Sequence, residues 1–213
     1  MSIAVLIAKL VLAYLLGSLS GSLLLGRWRG VDVRALGSGN AGGTNALRTQ
    51  GLRFALGVVT IDVGKALLAV WLAQWGIADF ELATRIGLAA GAAAAMGHVW
   101  PIFFGFRGGK GAATLVGALL MLWPLLLLPL VAVWLLVLMV TGYVGLATML
   151  AGIAMIPSVW LLAPAQSTEW LIAAVVVALF LLWTHRANLR RLMAGNEPCF
   201  ERVRVLGRWM NLQ

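Results

Sequence analysis

A glycine-rich polar run near the N-terminus has the residue types best suited to bind an anion. It spans residues 37–45 with the sequence GSGNAGGTN, and an arginine follows three residues later. Glycine allows close approach to the backbone N–H groups, and successive N–H groups can form a concave anion site. The residues expected to bind are Ser38, Gly39, Asn40, Thr44, Asn45 and Arg48. The run therefore predicts a phosphate-binding loop, the first loop below.

A second glycine-rich segment lies near the middle of the chain. Gly108, Gly109 and Gly111 flank Lys110, and Thr114 supplies a hydroxyl at the start of the next predicted helix. We expect the glycines to expose their amides beside a helix N-terminus, which favours an anion. The spacing is not that of a Walker A motif. The plainer alternative is a tight turn whose lysine contacts lipid phosphates, although one glycine is enough for a turn.

Two further pairs of polar residues are candidates for chemistry. His185 and Asn188 are three residues apart where the last apolar run ends, so they share one face of a helix. The plainer interpretation is that His185 is only an interfacial residue at the membrane boundary. Asp62 and Lys65 are also three apart, inside an apolar run. Charges in such a place either neutralise each other or support a site.

The elements that position these residues are predicted to be membrane-spanning helices. The 213 residues are 62% hydrophobic and 11% charged, whereas a soluble domain carries about 25% charged residues. Clear apolar runs occur at 3–25, 54–75, 86–106, 145–162 and 170–184. The first run has no clear cleavage site, so we expect it to be retained. The composition predicts an all-α polytopic membrane protein with one domain over residues 1–213.

The uncharged stretch 112–140 decides the number of spans. It contains Pro124 and Pro129. As one helix it gives six spans and places the arginine-rich segments after the first and last runs on opposite sides, against the positive-inside rule. Split around 123–129 it gives seven, with the two short halves buried in the bundle or thinning the bilayer. We expect seven transmembrane helices, with the N-terminus outside and the C-terminus cytoplasmic.

Charge and composition exclude several classes of function. The net charge is +9, and the basic segments flank apolar runs, which indicates contact with anionic lipid heads rather than with nucleic acid. Cys199 is the single cysteine, so an intrachain disulfide and a cysteine metal cluster are excluded. Two histidines, with most carboxylates near helix ends, favour no metal site. With no evident strong nucleophile, we expect positioning and electrostatics to carry the chemistry.

Taken together, the motifs resemble those of the bacterial acyl-phosphate:glycerol-3-phosphate acyltransferases. The resemblance covers nearly the whole chain, and its combination of motifs is highly specific. The matching segments are Gly17-Ser18 through Arg27, the first loop, Asp62-Val63-Gly64-Lys65, Gly97-His98 with Pro101, Phe106-Arg107-Gly108-Gly109-Lys110-Gly111, and His185-x-x-Asn188 with Arg191 and Glu197.

The resemblance implies a reaction and a location. A long-chain acyl phosphate would donate its acyl group to the sn-1 hydroxyl of glycerol 3-phosphate. The products would be 1-acyl-glycerol 3-phosphate (lysophosphatidate) and phosphate, in the first step of bacterial phospholipid synthesis. The enzyme would lie in the inner membrane among its lipids, face the cytoplasm with its active site, and need no cofactor or metal.

The resemblance also implies roles for single residues. Lys110, His185 and Asn188 would be catalytic and, with Arg48, would bind glycerol 3-phosphate. The acyl-phosphate head would be held by Ser38, Asn40, Asn45 and the loop amides. The substrate-binding residues would also include Gly39, Thr44, Gly108, Gly109, Gly111 and Thr114. The supporting residues would be Asp62, Lys65, His98 and Glu197. Members of the family commonly carry a substrate-facing serine where this chain has Gly145, so we expect that contact to be lost.

Two other classes of protein are alternatives. A transporter or channel for organophosphate anions needs polar residues at several depths of the bundle, and Asp62 with Lys65 is nearly all that the sequence offers. An internal repeat, common in transporters, is not evident. A structural or scaffold protein has no need of the glycine loops.

Overall fold

The computed structural model describes residues 1–162 and 168–210. Regular structure in those residues is helical throughout. The chain divides into two compact units, Met1–Pro124 and Leu125–Gln213. The prediction of an all-α protein is confirmed for the described residues.

The first unit contains six α-helices. They are α1 Ile3–Gly17, α2 Gly21–Arg29, α3 Gly43–Gln50, α4 Leu52–Gln74, α5 Phe80–Val99 and α6 Ala112–Leu122. Helix α1 packs on α4 and α5, and α4 packs on α6. The crossings are close because small residues lie there: a Cβ at Gly17 would collide with the backbone of Ala94, and one at Gly117 with that of Val63. Small residues at crossings are typical of helix packing in membranes.

The first apolar run is not the single helix expected over 3–25. It breaks at Ser18–Ser20, and α1 and α2 are bent by 44°. The freed backbone groups bind side chains of α4. Asp62 Oδ1 accepts from the Gly21 N–H at 3.0 Å, and Lys65 Nζ donates to the Leu19 carbonyl at 3.0 Å. A break at membrane depth is stable when buried partners satisfy its backbone.

Helix α5 is shifted relative to the predicted run 86–106. It begins at Phe80 because Asp79 caps it, accepting from the Leu82 N–H at 2.7 Å. It ends at Val99 because the proline at 101 disfavours helical backbone in the residue before it. The shift leaves residues 100–111 as a connection, the second loop below.

Lys9 has a structural role that the sequence did not indicate. Its ammonium donates to the carbonyls of Ala73 at 2.7 Å and of Trp75 at 2.8 Å. These carbonyls lie at the C-terminus of α4, where the backbone has unsatisfied acceptors and the helix dipole favours a cation. Lys9 therefore joins the middle of α1 to the end of α4.

The described residues of the second unit form five α-helices. They are α7 Leu127–Thr141, α8 Val144–Leu162, α9 Thr168–Thr184, α10 Arg186–Met193 and α11 Val205–Trp209. Helix α8 packs on both α7 and α9, and α9 and α10 are bent by 57°. Helix α11 packs back onto α7, where a Cβ at Gly207 would collide with the Val140 carbonyl.

The predicted split of 112–140 is present, but its second half is not short, because Pro124–Thr141 has 18 residues and is long and apolar enough to cross a membrane. Helix α6 ends at Leu122, a 3₁₀ turn follows at Pro124–Leu126, and α7 begins at Leu127. The 11 residues of α6 span about 16 Å, roughly half of a membrane core of about 30 Å. Among the described residues, four helices are long and apolar enough to cross a membrane, or six if each bent pair is one span. A count of seven, which requires α6, stays a prediction.

Candidate functional site

Asn45 holds the first loop in shape. Its Oδ1 accepts from the Ser38 N–H at 2.9 Å, and its Nδ2 donates to the carbonyls of Val33 at 3.0 Å and Leu36 at 2.9 Å. The side chain is 1% exposed. Gly37 has a φ of +57°, and a Cβ there would collide with the Asn45 amide. Asn45 therefore organises the loop, and its direct contact with a ligand stays a prediction.

The other polar residues of the first loop remain accessible. Ser38, Asn40 and Thr44 are partly exposed, and Gly39 and Arg48 are exposed. Thr44 and Arg48 are four residues apart on α3, so they share a face of that helix. The first loop and the start of α3 therefore present hydroxyl, amide and guanidinium donors around one short segment of backbone.

The second loop corrects one expectation. The N–H groups of Gly108 and Gly109 donate to the carbonyls of Val99 and His98, both at 3.1 Å. Contrary to the prediction, these two N–H groups are therefore not exposed. Glycine is required here for close packing, because a Cβ at either position would collide with His98. Gly111 has a φ of +86° and is the N-cap of α6, whose first N–H groups have no acceptor within the helix. The anion donors that this loop offers include the N–H groups at the start of α6 and the Lys110 ammonium.

Thr114 lies in the first turn of α6 with its side chain fully buried. Its hydroxyl has no hydrogen-bond partner in the described structure. A buried polar group without a partner costs about 1–3 kcal/mol. This hydroxyl is therefore a buried donor one turn after Lys110, and its contact with substrate stays a prediction.

The structure brings the two loops together within the first unit. Arg34, in the 3₁₀ turn Val33–Ala35 that leads into the first loop, donates through Nη1 to the carbonyls of Phe104 at 3.0 Å and Arg107 at 2.9 Å. Asp32 pairs with Arg34 Nη2 at 2.8 Å. The hydrogen bond from Arg34 lowers the pKa of Asp32 and the same bond raises the pKa of Arg34, so the pair is ionised at neutral pH. At a second junction, a Cβ on Gly109 would lie 2.8 Å from the Ala41 carbonyl.

Arg34 belongs to the arginine-rich segment after the first apolar run, and its junction with the second loop was not predicted. Its pairing with Asp32 two residues away was the available signal. The two residues also line a cleft of about 540 Å³ between α2 and the second loop. Arg27 lies over the Phe104 ring in that cleft, 4.8 Å from its centroid.

Asp62 and Lys65 form a buried ion pair that also includes His98. Lys65 Nζ lies 2.9 Å from Asp62 Oδ1 and 2.9 Å from His98 Nδ1. The three residues are 1%, 6% and 3% exposed. The two readings left open by the sequence, a neutralising pair and a support for a site, are compatible, because His98 also packs under the second loop.

In the second unit, His185 lies at the bend between α9 and α10 and is buried. Its Nδ1 lies 2.9 Å from the Leu181 carbonyl. A carbonyl only accepts, so Nδ1 carries the proton and the lone pair of the neutral ring is on Nε2. The neutral ring is thus oriented to accept a hydrogen bond through Nε2.

Glu197 orients Asn188. Asn188 Nδ2 donates to Glu197 Oε1 at 2.6 Å, and Arg191 Nε donates to Glu197 Oε2 at 2.7 Å. The Glu197 side chain is 5% exposed. A carboxylate that binds both an amide and a guanidinium fixes the rotamers of both. This is the geometry expected of a supporting residue.

Gly145 lies directly against Asn188. A Cβ at Gly145 would lie 2.7 Å from Asn188 Nδ2 and 2.8 Å from its Cβ and Cγ. The absence of a side chain at this position is therefore what allows Asn188 its place next to α8. The Asn188 amide therefore occupies the space that a serine side chain at position 145 would need.

We predict that Gly145→Ser lowers activity, although it restores the residue common in the resembled family. The added side chain must displace Asn188 from Glu197, and a lost hydrogen bond to a charged group is worth about 1.5–3 kcal/mol. This corresponds to about a 10- to 150-fold loss of kcat/KM for the acceptor. Ala151→Ser adds the same hydroxyl to a partly exposed position of α8 and serves as the control. Wild-type or higher activity of Gly145→Ser would contradict the packing argument.

Comparison with known proteins agrees with the resemblance. The family model described as glycerol-3-phosphate acyltransferase matches residues 7–195. A glycerol-3-phosphate acyltransferase of Pseudomonas paraeruginosa is 46% identical over 192 residues, covering 89% of this chain and 97% of that protein. The enzyme of the same name from Laribacter hongkongensis is 43% identical, covering 90% and 94%.

The fold is shared with a solved membrane enzyme. The crystal structure of PlsY (YgiH), an integral membrane glycerol 3-phosphate acyltransferase, in its glycerol 3-phosphate form matches with a TM-score of 0.83 and 32% identity. The match covers 94% of this chain and 98% of that one. The lysophosphatidic acid form matches with a TM-score of 0.82. Together with the two glycine loops and the His185–Asn188 segment, these matches show that the protein is a membrane acyltransferase belonging to the glycerol-3-phosphate acyltransferase family.

Proposed function

We propose that this protein transfers the acyl group of a long-chain acyl phosphate to the sn-1 hydroxyl of glycerol 3-phosphate. The observation that carries the proposal is the junction of the two loops, with Lys110 at the open N-terminus of α6. A site of this kind suits ligands that carry phosphate. Both the proposed donor and the proposed acceptor do so.

The chemistry proposed is direct transfer without a covalent enzyme intermediate. The acceptor hydroxyl oxygen bonds to the acyl carbon, and the bond between that carbon and the phosphate oxygen breaks. Inorganic phosphate leaves and 1-acyl-glycerol 3-phosphate forms. The hydroxyl proton passes to the donor's own phosphate, since a phosphate monoester has a second pKa of about 6. Positioning and charge stabilisation supply the acceleration.

The proposed roles follow the chemistry of each group. Arg48 and Lys110 bind the phosphate of glycerol 3-phosphate, and His185 and Asn188 hydrogen-bond to the acceptor. The loop built around Asn45 holds the acyl-phosphate head through its exposed hydroxyl, amide and N–H donors. No metal or other cofactor takes part in the proposal.

The choice of donor is tested by a substrate comparison. Purified protein is supplied with glycerol 3-phosphate and either palmitoyl phosphate or palmitoyl-CoA, with and without EDTA. We expect turnover with palmitoyl phosphate only, unaffected by EDTA. Comparable turnover with the thioester, or a strict metal requirement, would refute direct use of the mixed anhydride.

We also propose seven spans in the bacterial inner membrane, with loops and tail in the cytoplasm. Support comes from the break between α6 and α7 and from the arginine-rich segments that flank the spans. With Cys199 replaced, single cysteines at Asn40, Lys110 and Asn196 should resist an impermeant thiol reagent in intact cells. A cysteine at Ser167, which lies outside the described residues, should be labelled. Labelling at Asn196 from outside would support six spans instead.

A further inference from the structure

The buried network of Asp62, Lys65 and His98 fixes the orientation of the histidine ring. The Lys65 ammonium has three N–H donors, and three polar atoms lie within reach: Asp62 Oδ1 at 2.9 Å, the Leu19 carbonyl at 3.0 Å and His98 Nδ1 at 2.9 Å. Asp62 Oδ1 also accepts from the Gly21 N–H at 3.0 Å. Asp62 Oδ1 lies 3.4 Å from the same ring nitrogen of His98. The ring is held by its Nδ1 edge.

The opposite edge of the His98 ring supports the second loop. A Cβ at Gly109 would collide with His98 Nε2, so the ring lies directly against the backbone of that glycine. The Gly109 N–H donates to the carbonyl of His98 itself at 3.1 Å. The Ala41 carbonyl of the first loop approaches the same point. Because Lys110 follows Gly109 in the chain, the position of the His98 ring determines the position of the Lys110 Cα.

We propose that the network of Asp62, Lys65 and His98 is a positioning device that holds Lys110 and the start of α6 in the geometry that binds phosphate. His98 is then a positioning residue, which acts through Gly109 and does not contact substrate. The proposal rests on the proposed function, in which Lys110 binds the phosphate of glycerol 3-phosphate.

Stability alone does not account for three ionisable groups in this place. Burying an ion pair removes both charges from water, and apolar residues of similar volume are often as stabilising or more so. Apolar residues, however, do not fix a rotamer by directed hydrogen bonds. The network also anchors the break between α1 and α2 through Leu19 and Gly21. One set of hydrogen bonds therefore sets the positions of the broken span and of the second loop together.

The test separates positioning from stability by comparing KM, kcat and thermal stability. His98→Ala removes both edges of the ring, and His98→Gln retains a polar group of similar reach. Lys9→Met is the matched control, since it removes a lysine that bonds to backbone carbonyls of the same unit but away from both loops. Each purified variant is assayed with palmitoyl phosphate and glycerol 3-phosphate, and its melting temperature is measured without substrate.

We expect His98→Ala to raise the KM for glycerol 3-phosphate by about 10- to 100-fold, as displacements of about 1 Å do, with a smaller change in kcat. His98→Gln should recover part of the loss. Lys9→Met should lower the melting temperature and leave KM unchanged. A fall in melting temperature for His98→Ala with KM unchanged would overturn the proposal.

Gly109→Ala gives an independent answer if His98→Ala does not fold. It keeps the network but pushes the loop away from the ring, so the same rise in KM is expected. An unchanged KM for Gly109→Ala would also overturn the proposal. Wild-type protein that turns over neither substrate would instead refute the proposed function.

Discussion

Lys110→Ala is expected to lower kcat/KM for glycerol 3-phosphate by about 10- to 150-fold, because a charge-assisted hydrogen bond to phosphate is worth about 1.5–3 kcal/mol. Lys110 is half-buried and immediately precedes Gly111, the N-cap of α6. At that point the helix dipole and the open N–H groups add to its charge. The loss should appear mainly in KM.

The control for this prediction is Arg202→Ala. Arg202 is an exposed cation of the C-terminal tail, and its expected role is in membrane topology and contact with anionic lipid. Activity of this variant in detergent should therefore stay close to that of wild type. Equal losses for the two variants would show that the second loop is not a phosphate site.

His185→Ala is expected to raise the KM for glycerol 3-phosphate strongly, and either His185→Asn or His185→Gln should retain measurable turnover. The hydrogen bond to Leu181 leaves Nε2 as the acceptor, so the ring can orient the hydroxyl of the acceptor. Asn and Gln keep hydrogen-bonding capacity but cannot take up a proton near neutral pH. Steady-state kinetics with saturating palmitoyl phosphate separate kcat from KM.

General-base catalysis makes the opposite prediction for these variants. Removing a general base costs about 10²- to 10⁴-fold, so Asn and Gln would both lose kcat by this factor with little change in KM. Asn188→Ala is the companion variant, since Asn188 lies three residues further on and is held by Glu197. It should resemble His185→Gln if both residues position the acceptor.

Local sequence patterns predicted the helices and one of the breaks. Hydropathy located the apolar runs, and Pro124, Pro129 and the arginine distribution predicted the interruption between α6 and α7. The break at Ser18–Ser20 was not predicted, because serine residues within an apolar run are compatible with a continuous helix. Its cause lies more than forty residues away, in Asp62 and Lys65.

The candidate site was predicted as a set of residues but not as an arrangement. The glycines of the second loop were expected to donate to an anion, whereas Gly108 and Gly109 serve close packing against His98. Asn45 was expected to contact a ligand, which stays a prediction, and its three hydrogen bonds to the backbone of Val33, Leu36 and Ser38 were not predicted. Residue types and spacing indicate which groups are polar and near each other in sequence. The packing of α5 and α4 against the loops decides which of those groups remain available.

The most direct test of the central claim is product formation by the purified protein from palmitoyl phosphate and glycerol 3-phosphate. Phosphate release and the acylated product are quantified together, and the product is identified by mass spectrometry and by the position of its acyl chain. We predict equal amounts of phosphate and 1-palmitoyl-glycerol 3-phosphate, with release dependent on the acceptor and strongly reduced in Lys110→Ala. Phosphate release without acylated glycerol 3-phosphate, or no turnover of the acyl phosphate at all, would contradict the account.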